Sequence, residues 1–77
     1  MKPSEAKLII FMRNADKRFC YAWHMANKLE LEYSYVAKIL KGMEMKGWVK
    51  KFKRESKIFY STTFKTPNKQ AKEVLTQ

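Results

Sequence analysis

The chain has 77 residues, of which 45% are hydrophobic, so it is long enough for one small folded domain over residues 1–77 and too apolar to be disordered. Seventeen lysines and arginines oppose seven acidic residues and leave a formal net charge of +10. A compact body with this surplus repels itself unless it binds a polyanion. Nucleic acid is the first candidate and an anionic membrane surface the second, with a solubilising surface as the plain alternative.

The cysteine count and the apolar runs exclude two further classes of protein. Cys20 has no second cysteine to pair with, which excludes an internal disulfide and suits a reducing compartment. The apolar run over residues 8–12 is far shorter than the roughly 18 residues of a membrane span. We therefore expect a cytoplasmic protein with no membrane partner.

The first part of the chain predicts two short helices. Ser4 is the candidate N-cap of the first, which we expect to end near residue 15. Its inner stripe has the i, i+3, i+4, i+7 spacing of an amphipathic helix and comprises Leu8, Phe11, Met12 and Ala15. A loop over residues 16–19 and a helix over about residues 20–29 follow. Trp23 in this second helix and Trp48 further on are expected to anchor the core.

A tight turn around Glu30 leads to a third predicted helix over about residues 33–46. Its buried stripe has the same spacing and comprises Val36, Ile39, Leu40 and Met43. Gly47 ends this helix because glycine readily takes the left-handed backbone conformation of a helix C-terminus. The remaining residues near its N-terminus, which we expect to face outward, are Tyr33, Ser34, Tyr35 and Lys38.

The pattern changes after Gly47. Aromatic and β-branched residues are frequent over residues 48–53 and 57–64, which predicts a β-hairpin with its turn at residues 54–56. Thr66 as N-cap and Pro67 at the first helical position then predict a last helix to about residue 75. This order predicts an α+β winged helix-turn-helix fold, with three helices, a two-stranded wing and a short C-terminal helix.

A helix-turn-helix places its second helix in the DNA major groove. We therefore expect the helix over residues 33–46 to contact bases through Tyr33, Ser34, Tyr35 and Lys38. The wing over residues 48–64 is expected on the backbone, with Arg54 at its tip near the minor groove. The basic residues expected at phosphates are Lys28, Lys41, Lys50, Lys51, Lys53, Arg54 and Lys57. Alternatively, the wing lysines protect an edge strand and the tyrosines pack in the core.

The stretch over residues 26–51 resembles the signature of winged-helix regulators of the MarR type. The resemblance is carried above all by the helix ending from Met43 to Val49 (MEMKGWV), and it extends over about residues 5–75. It implies a winged-helix domain that regulates transcription. Glu30 stands where that family usually has glycine, at a cost of about 1 kcal/mol if the backbone there is left-handed. Glu32 stands where the family usually has Ser or Thr, and the family's long dimerisation helices have no counterpart.

Other patterns give little support to a catalytic or metal-dependent function. Cys20 and His24 are spaced like half of a metal site, but the sequence has no other Cys or His, and zinc usually takes four ligands. No carboxylate has a plausible catalytic partner, and a glycine-rich phosphate loop is missing. We therefore expect no enzyme, no cofactor, no metal and no small-molecule ligand.

The terminal helices raise the question of pairing. Four apolar residues fit either a twofold dimer interface or closure of the monomer core: Ile9, Ile10, Val74 and Leu75. We expect a homodimer that binds double-stranded DNA and regulates transcription, from a prokaryote or a mobile element. Two alternatives stay open, namely a non-specific architectural binder of nucleic acid and a winged-helix adaptor for protein or RNA.

Overall fold

The fold consists of helices packed beside one β-hairpin in a computed structural model that describes residues 1–76. The elements of this part of the chain are α1 (Pro3–Asn14), a 3-10 turn (Lys17–Phe19), α2 (Ala22–Lys28), α3 (Tyr33–Met45), β1 (Val49–Arg54), β2 (Lys57–Thr62) and α4 (Asn68–Leu75). The predicted order of elements and the α+β winged-helix class are confirmed.

The core lies among α1, α2 and α3 and is closed by α4 and the base of the hairpin. Its members share full or nearly full burial and include Leu8, Ile9, Met25, Val36, Ile39, Leu40, Met43, Val49 and Ala71. The predicted stripe of α3 is therefore confirmed at all four positions. Trp48 is half-buried and packs against this core.

The N-terminus of α1 is stabilised by Glu5 and not by Ser4. The backbone N–H of Lys2 donates to the Glu5 carboxylate at 2.9 Å, so Lys2 is the N-cap and Glu5 the third helical residue. The Lys46 ammonium lies 3.4 Å from the same carboxylate and 4.4 Å from the centroid of the Trp48 ring. This cluster joins the start of α1 to the end of α3.

The second helix begins two residues later than predicted because the preceding residues are extended. Tyr21 forms an isolated β-bridge with Phe59, and Cys20 accepts a backbone hydrogen bond of 2.9 Å from Tyr60. Trp23 is 61% exposed, so its predicted role as a core anchor is wrong. It lies about 200° around the helix axis from the fully buried Met25.

Two junctions flank α3 and both have left-handed backbone. Glu30 has φ 56°, as expected for the position that the resemblance marked as glycine, and the next N–H donates to the Ala26 carbonyl at 2.8 Å. Gly47 has φ 79°, and the N–H that follows it donates to the Met43 carbonyl at 2.9 Å. These turns fix the orientation of α3 relative to α2 and of the hairpin relative to α3.

The hairpin is antiparallel, with Phe52 opposite Phe59 and a two-residue turn at Glu55 and Ser56. Both turn residues have positive φ, 51° and 67°, which is the geometry of a type I′ turn. The second strand ends two residues earlier than predicted, and Phe64 beyond it is 95% exposed.

The start of α4 differs from the predicted cap. The Thr66 hydroxyl donates to the carbonyl of Trp48 and accepts from the N–H of Thr63, so it stabilises the base of the hairpin. Because that hydroxyl is used there, it does not cap the helix, which begins at Asn68 after Pro67.

Candidate nucleic-acid interface

The outward face of α3 carries a continuous exposed stripe. Its residues recur at i, i+4, i+7 and i+11 and are Ser34, Lys38, Lys41 and Met45. Met45 is 82% exposed. Lys38 and Lys41 make no ion pair within residues 1–76. No other element of this part of the chain uses the stripe for packing.

Two tyrosines flank the stripe on opposite sides. Tyr33 is 40% exposed and stacks on the Trp23 ring, with centroids 4.6 Å apart and 19° between the planes. Tyr35 is 39% exposed, and its hydroxyl lies 3.2 Å from the hydroxyl of Ser4 on α1. Both rings are therefore partly held by protein neighbours, and base contact by either stays a prediction.

Ser34 and the acidic residues near it limit what α3 offers to DNA. The Ser34 hydroxyl donates to the Glu32 carboxylate at 2.6 Å, so a base must compete with that carboxylate for it. Residues 30–46 contain three lysines and three glutamates, which leaves this segment with no net charge. The net long-range attraction for DNA must therefore come from other elements, although single lysines of α3 are still available for contacts with phosphates.

The hairpin divides its cations between two faces. Side chains of directly opposed residues lie on the same face, and successive residues alternate between faces. Lys51 and Lys53 lie on the face toward α3, where the Lys51 ammonium is 3.6 Å from the Glu44 carboxylate. Lys50 and Arg54 lie on the opposite face. The structure therefore does not bring all of the predicted wing cations onto one surface.

The remaining predicted phosphate contacts lie at the edges of these surfaces. The Lys57 ammonium is 4.5 Å from the centroid of the Tyr21 ring, beside the tip of the hairpin. Lys28 is exposed at the end of α2. Neither lysine makes an ion pair within the described residues.

A groove of about 290 Å³ separates α3 from the hairpin. Its walls include Trp23, Tyr33, Ala37, Ile58 and Tyr60. Burial raises the pKa of the Tyr60 hydroxyl, with smaller contributions from the negative charge of Glu44 and from Tyr33, so this hydroxyl remains protonated near neutral pH. Trp23 was missed in the sequence because nothing in its neighbourhood marks the start of α2 at Ala22.

The residues considered for a dimer interface separate into two groups. Ile9 is fully buried in the monomer core, so placing it in an interface was wrong, since it cannot touch a second copy without unfolding. Ile10 and Val74 are half-buried and Leu75 is 39% exposed. Ile10 and Leu75 line an apolar groove of about 430 Å³ together with Phe11 and Leu29.

Cys20 and His24 occupy separate environments. The Cys20 thiol is buried and donates to the Asp16 carbonyl at 3.6 Å, and burial, aided by the Asp16 charge, raises the pKa of the thiol. The His24 ring stacks on Phe19 at 4.9 Å. Residues 1–76 contain no group of three or more side chains arranged to hold a metal ion. Nor does this part of the chain contain a helix long and apolar enough to cross a membrane.

Comparison with known proteins supports the fold. No family model matches the sequence, and no curated protein matches it either. A solved structure, a single-residue mutant of ZitR from Lactococcus lactis, is similar with a TM-score of 0.75 and 21% identity. The similarity covers 95% of this chain and 49% of the ZitR chain, so the present chain spans about half of its length. ZitR is a winged-helix protein, and the likeness establishes the winged-helix fold.

Proposed function

We propose that the chain is a DNA-binding transcription regulator that inserts α3 into the major groove of duplex DNA. The observation that carries the proposal is the exposed stripe of α3, whose Lys38 and Lys41 have no structural task. The hairpin face that bears Lys51 and Lys53 lies beside it. The lysines on this face of the helix make no ion pair within residues 1–76 and lie next to a basic hairpin. This arrangement fits duplex DNA, because the hairpin can contact the backbone while the helix lies in the major groove.

The structural neighbour adds to this support. ZitR is a transcription regulator with the same fold, and the resemblance of residues 26–51 to MarR-type regulators points to the same kind of function. The proposal therefore places the chain beside MarR-type proteins in function as well as in fold.

Each side chain has a defined task in the proposed complex. Lys38 lies in the first half of α3 and is long enough to reach the edge of a guanine. Lys41, Lys51 and Lys53 contact phosphates and set the position of the helix. Trp23 lines the same groove as Tyr33, and its indole N–H is proposed as a further donor for a phosphate oxygen.

Pairing of two copies is part of the proposal. The apolar groove that contains Ile10, Phe11 and Leu75 lies on α1 and α4, away from the stripe of α3. A second copy of the chain is its proposed occupant. A twofold dimer presents two copies of α3 to two half-sites, and the preferred DNA sequence is then palindromic.

The proposal is tested by reversing charge on the two surfaces that meet DNA. The front pair, Lys38→Glu with Lys53→Glu, is expected to lower the affinity for duplex DNA by at least about tenfold at about 100 mM salt, because two phosphate or base contacts become repulsive. The matched control, Lys69→Glu with Lys72→Glu on α4, makes the same change of net charge. Fluorescence anisotropy measures both, and thermal melting verifies that each variant folds.

Equal affinities of the front pair and the α4 pair would overturn the proposal. Selection from a random duplex library then separates regulation from general DNA binding. A palindromic selected sequence that binds at least about tenfold more tightly than random duplex supports a regulator. Equal binding to both instead supports the architectural alternative. Two observations favour that alternative: residues 30–46 have no net charge, and the Ser34 hydroxyl is already bonded to Glu32.

A further inference from the structure

A second positively charged groove lies on the face of the hairpin turned away from α3. Two cavities of about 600 and 370 Å³ share Lys17 and Phe52 in their walls and therefore adjoin. Together they form one groove between the end of α1, the 3-10 turn and the hairpin, here called the rear groove. Five of its lining residues are cations: Arg13, Lys17, Arg18, Lys50 and Arg54.

The charges of the rear groove are poorly balanced within the protein. Glu55 lines it, and Asp16 pairs with Arg18 at 3.7 Å, so five cations face two carboxylates and the net charge is 5 − 2 = +3. The other four cations make no ion pair within residues 1–76. They repel one another unless an anion lies between them. By contrast, the charges of residues 30–46 cancel.

The shape of the rear groove suits a chain of phosphates. Lys50 and Arg54 are four residues apart on one strand and lie on one face, which places their Cα atoms about 13 Å apart. One DNA strand carries a phosphate about every 3.4 Å along the helix axis, and the winding of the backbone separates neighbouring phosphates by more than this, so the span is long enough for more than one phosphate. Ser61, directly opposite Lys50, also lines the wall, and its hydroxyl, which donates to the Thr62 carbonyl at 3.4 Å, is a group of the kind that contacts phosphate oxygens.

We infer that the rear groove binds the phosphate backbone of a second nucleic-acid segment, so that one molecule bridges two duplexes. The inference rests on the proposed function, in which α3 and the hairpin face with Lys51 and Lys53 hold the first duplex. The rear groove lies on the opposite face of the hairpin from Lys51 and Lys53, so the first duplex would have to pass from one face of the hairpin to the other to fill both. DNA is stiff over about 150 base pairs, and bending it sharply around a single hairpin is costly.

The test measures bridging separately from binding of one duplex. A biotinylated duplex on beads captures a second, fluorescent duplex only when the protein holds both. The rear pair, Arg13→Glu with Lys17→Glu, is compared with the front pair and with the α4 pair, which make the same change in net charge. Melting temperatures verify that all three variants are folded.

The rear pair is expected to bind one duplex within about threefold of the wild type and to lose at least about tenfold in captured second duplex. The α4 pair retains both activities. The inference is overturned if the rear pair captures as much second duplex as the α4 pair does. That result would also be obtained if a dimer bridged two duplexes through its two copies of α3. The inference is also overturned if the rear pair loses single-duplex affinity as severely as the front pair.

Failure of the inference and failure of the proposed function give different results. If the wild-type protein binds one duplex but captures no second one, only the inference about the rear groove is contradicted. A wild-type protein that binds no duplex at about 100 mM salt contradicts the proposed function, and the inference falls with it.

Discussion

At the scale of single residues, Glu30 has the left-handed backbone that glycine adopts without steric cost. Its φ of 56° brings the side chain close to the following carbonyl, a strain of about 1 kcal/mol. Part of that strain is offset because glutamate has fewer accessible conformations than glycine in the unfolded chain. The turn nevertheless forms, since Leu31 beyond it is half-buried against the core.

We predict that Glu30→Gly stabilises the protein by about 0.5 to 1 kcal/mol, which raises the melting temperature by about 3 to 6 °C. The reverse change, Gly47→Ala, should destabilise it by at least a similar amount. Position 47 has φ 79°, and an added Cβ would lie 3.3 Å from the Lys65 side chain. Urea unfolding monitored by tryptophan fluorescence measures both. A destabilised Glu30→Gly would mean that the lower unfolded-state entropy of glutamate, together with any contact of its side chain, outweighs the strain.

At the scale of elements, the carboxylate of Glu5 links α1 to α3. Burial raises the pKa of this carboxyl, but the Lys2 N–H and the Lys46 ammonium lower it by more, so the pKa lies below its ordinary value of 4.5. A carboxyl whose pKa is depressed on folding stabilises the folded state above the ordinary pKa. That contribution is lost as the pH falls through the folded-state pKa.

We therefore predict that Glu5→Gln lowers the free energy of unfolding by about 1 kcal/mol at pH 7 and that the gap to the wild type closes as the pH falls through the folded-state pKa of Glu5. Below that pKa the wild-type carboxyl is also protonated. Urea midpoints measured at a series of pH values from 7 downward follow the difference. Glu73→Gln is the control, because Glu73 is exposed on α4 and has no ion pair within residues 1–76. A gap independent of pH would assign the loss to packing instead of charge.

The elements were predictable where one periodic pattern determined them. The stripe of α3 and the stop at Gly47 follow from local spacing and from glycine's backbone freedom, so both were predictable. The start of α2 was not, because the β-bridge between Tyr21 and Phe59 joins residues far apart in the chain. Trp23 was misplaced because the spacing of apolar residues in this short helix does not determine which side packs on the core, and the side of Met25 and Ala26 is the buried one.

The candidate site was predictable as a list of cations but not as a surface. Charge composition identifies the hairpin as basic, yet the face on which each lysine lies depends on the register, with Arg54 opposite Lys57. A shift of one residue in that register would exchange the faces of Lys50 and Lys51. The local bond between Ser34 and Glu32 was likewise invisible, because it depends on a rotamer at the start of α3.

At the scale of the whole molecule, the net charge of +10 is unevenly distributed. Residues 30–46 contribute nothing to it, whereas residues 47–57 contribute five cations less one carboxylate, or +4. The helix proposed for the major groove is thus the electrically neutral part of the protein. Its approach to DNA depends on the field of the hairpin, and the orientation of the protein on the duplex should follow from the hairpin face that bears Lys51 and Lys53.

This distribution determines how binding should respond to salt. If about five phosphates are contacted, the logarithm of affinity falls with the logarithm of salt concentration with a slope near −4.5, and affinity drops by two to three decades between about 50 and 200 mM salt. We predict that the front pair makes this slope shallower by about 1, because Lys53 is its phosphate contact and the loss of that contact removes one released counterion, whereas Lys38 is proposed to contact a base. The rear pair should leave the slope for a single duplex unchanged, since its residues face away from that duplex.

Anisotropy titrations at four or more salt concentrations give these slopes directly. A wild-type slope shallower than about −1 would mean that apolar and hydrogen-bonding contacts dominate, and the role of the hairpin lysines would have to be abandoned. A rear pair that flattens the slope as much as the front pair would place one duplex across both faces of the hairpin. In that case the stiffness of DNA would be overcome by bending at a flexible step, and one duplex would reach both surfaces.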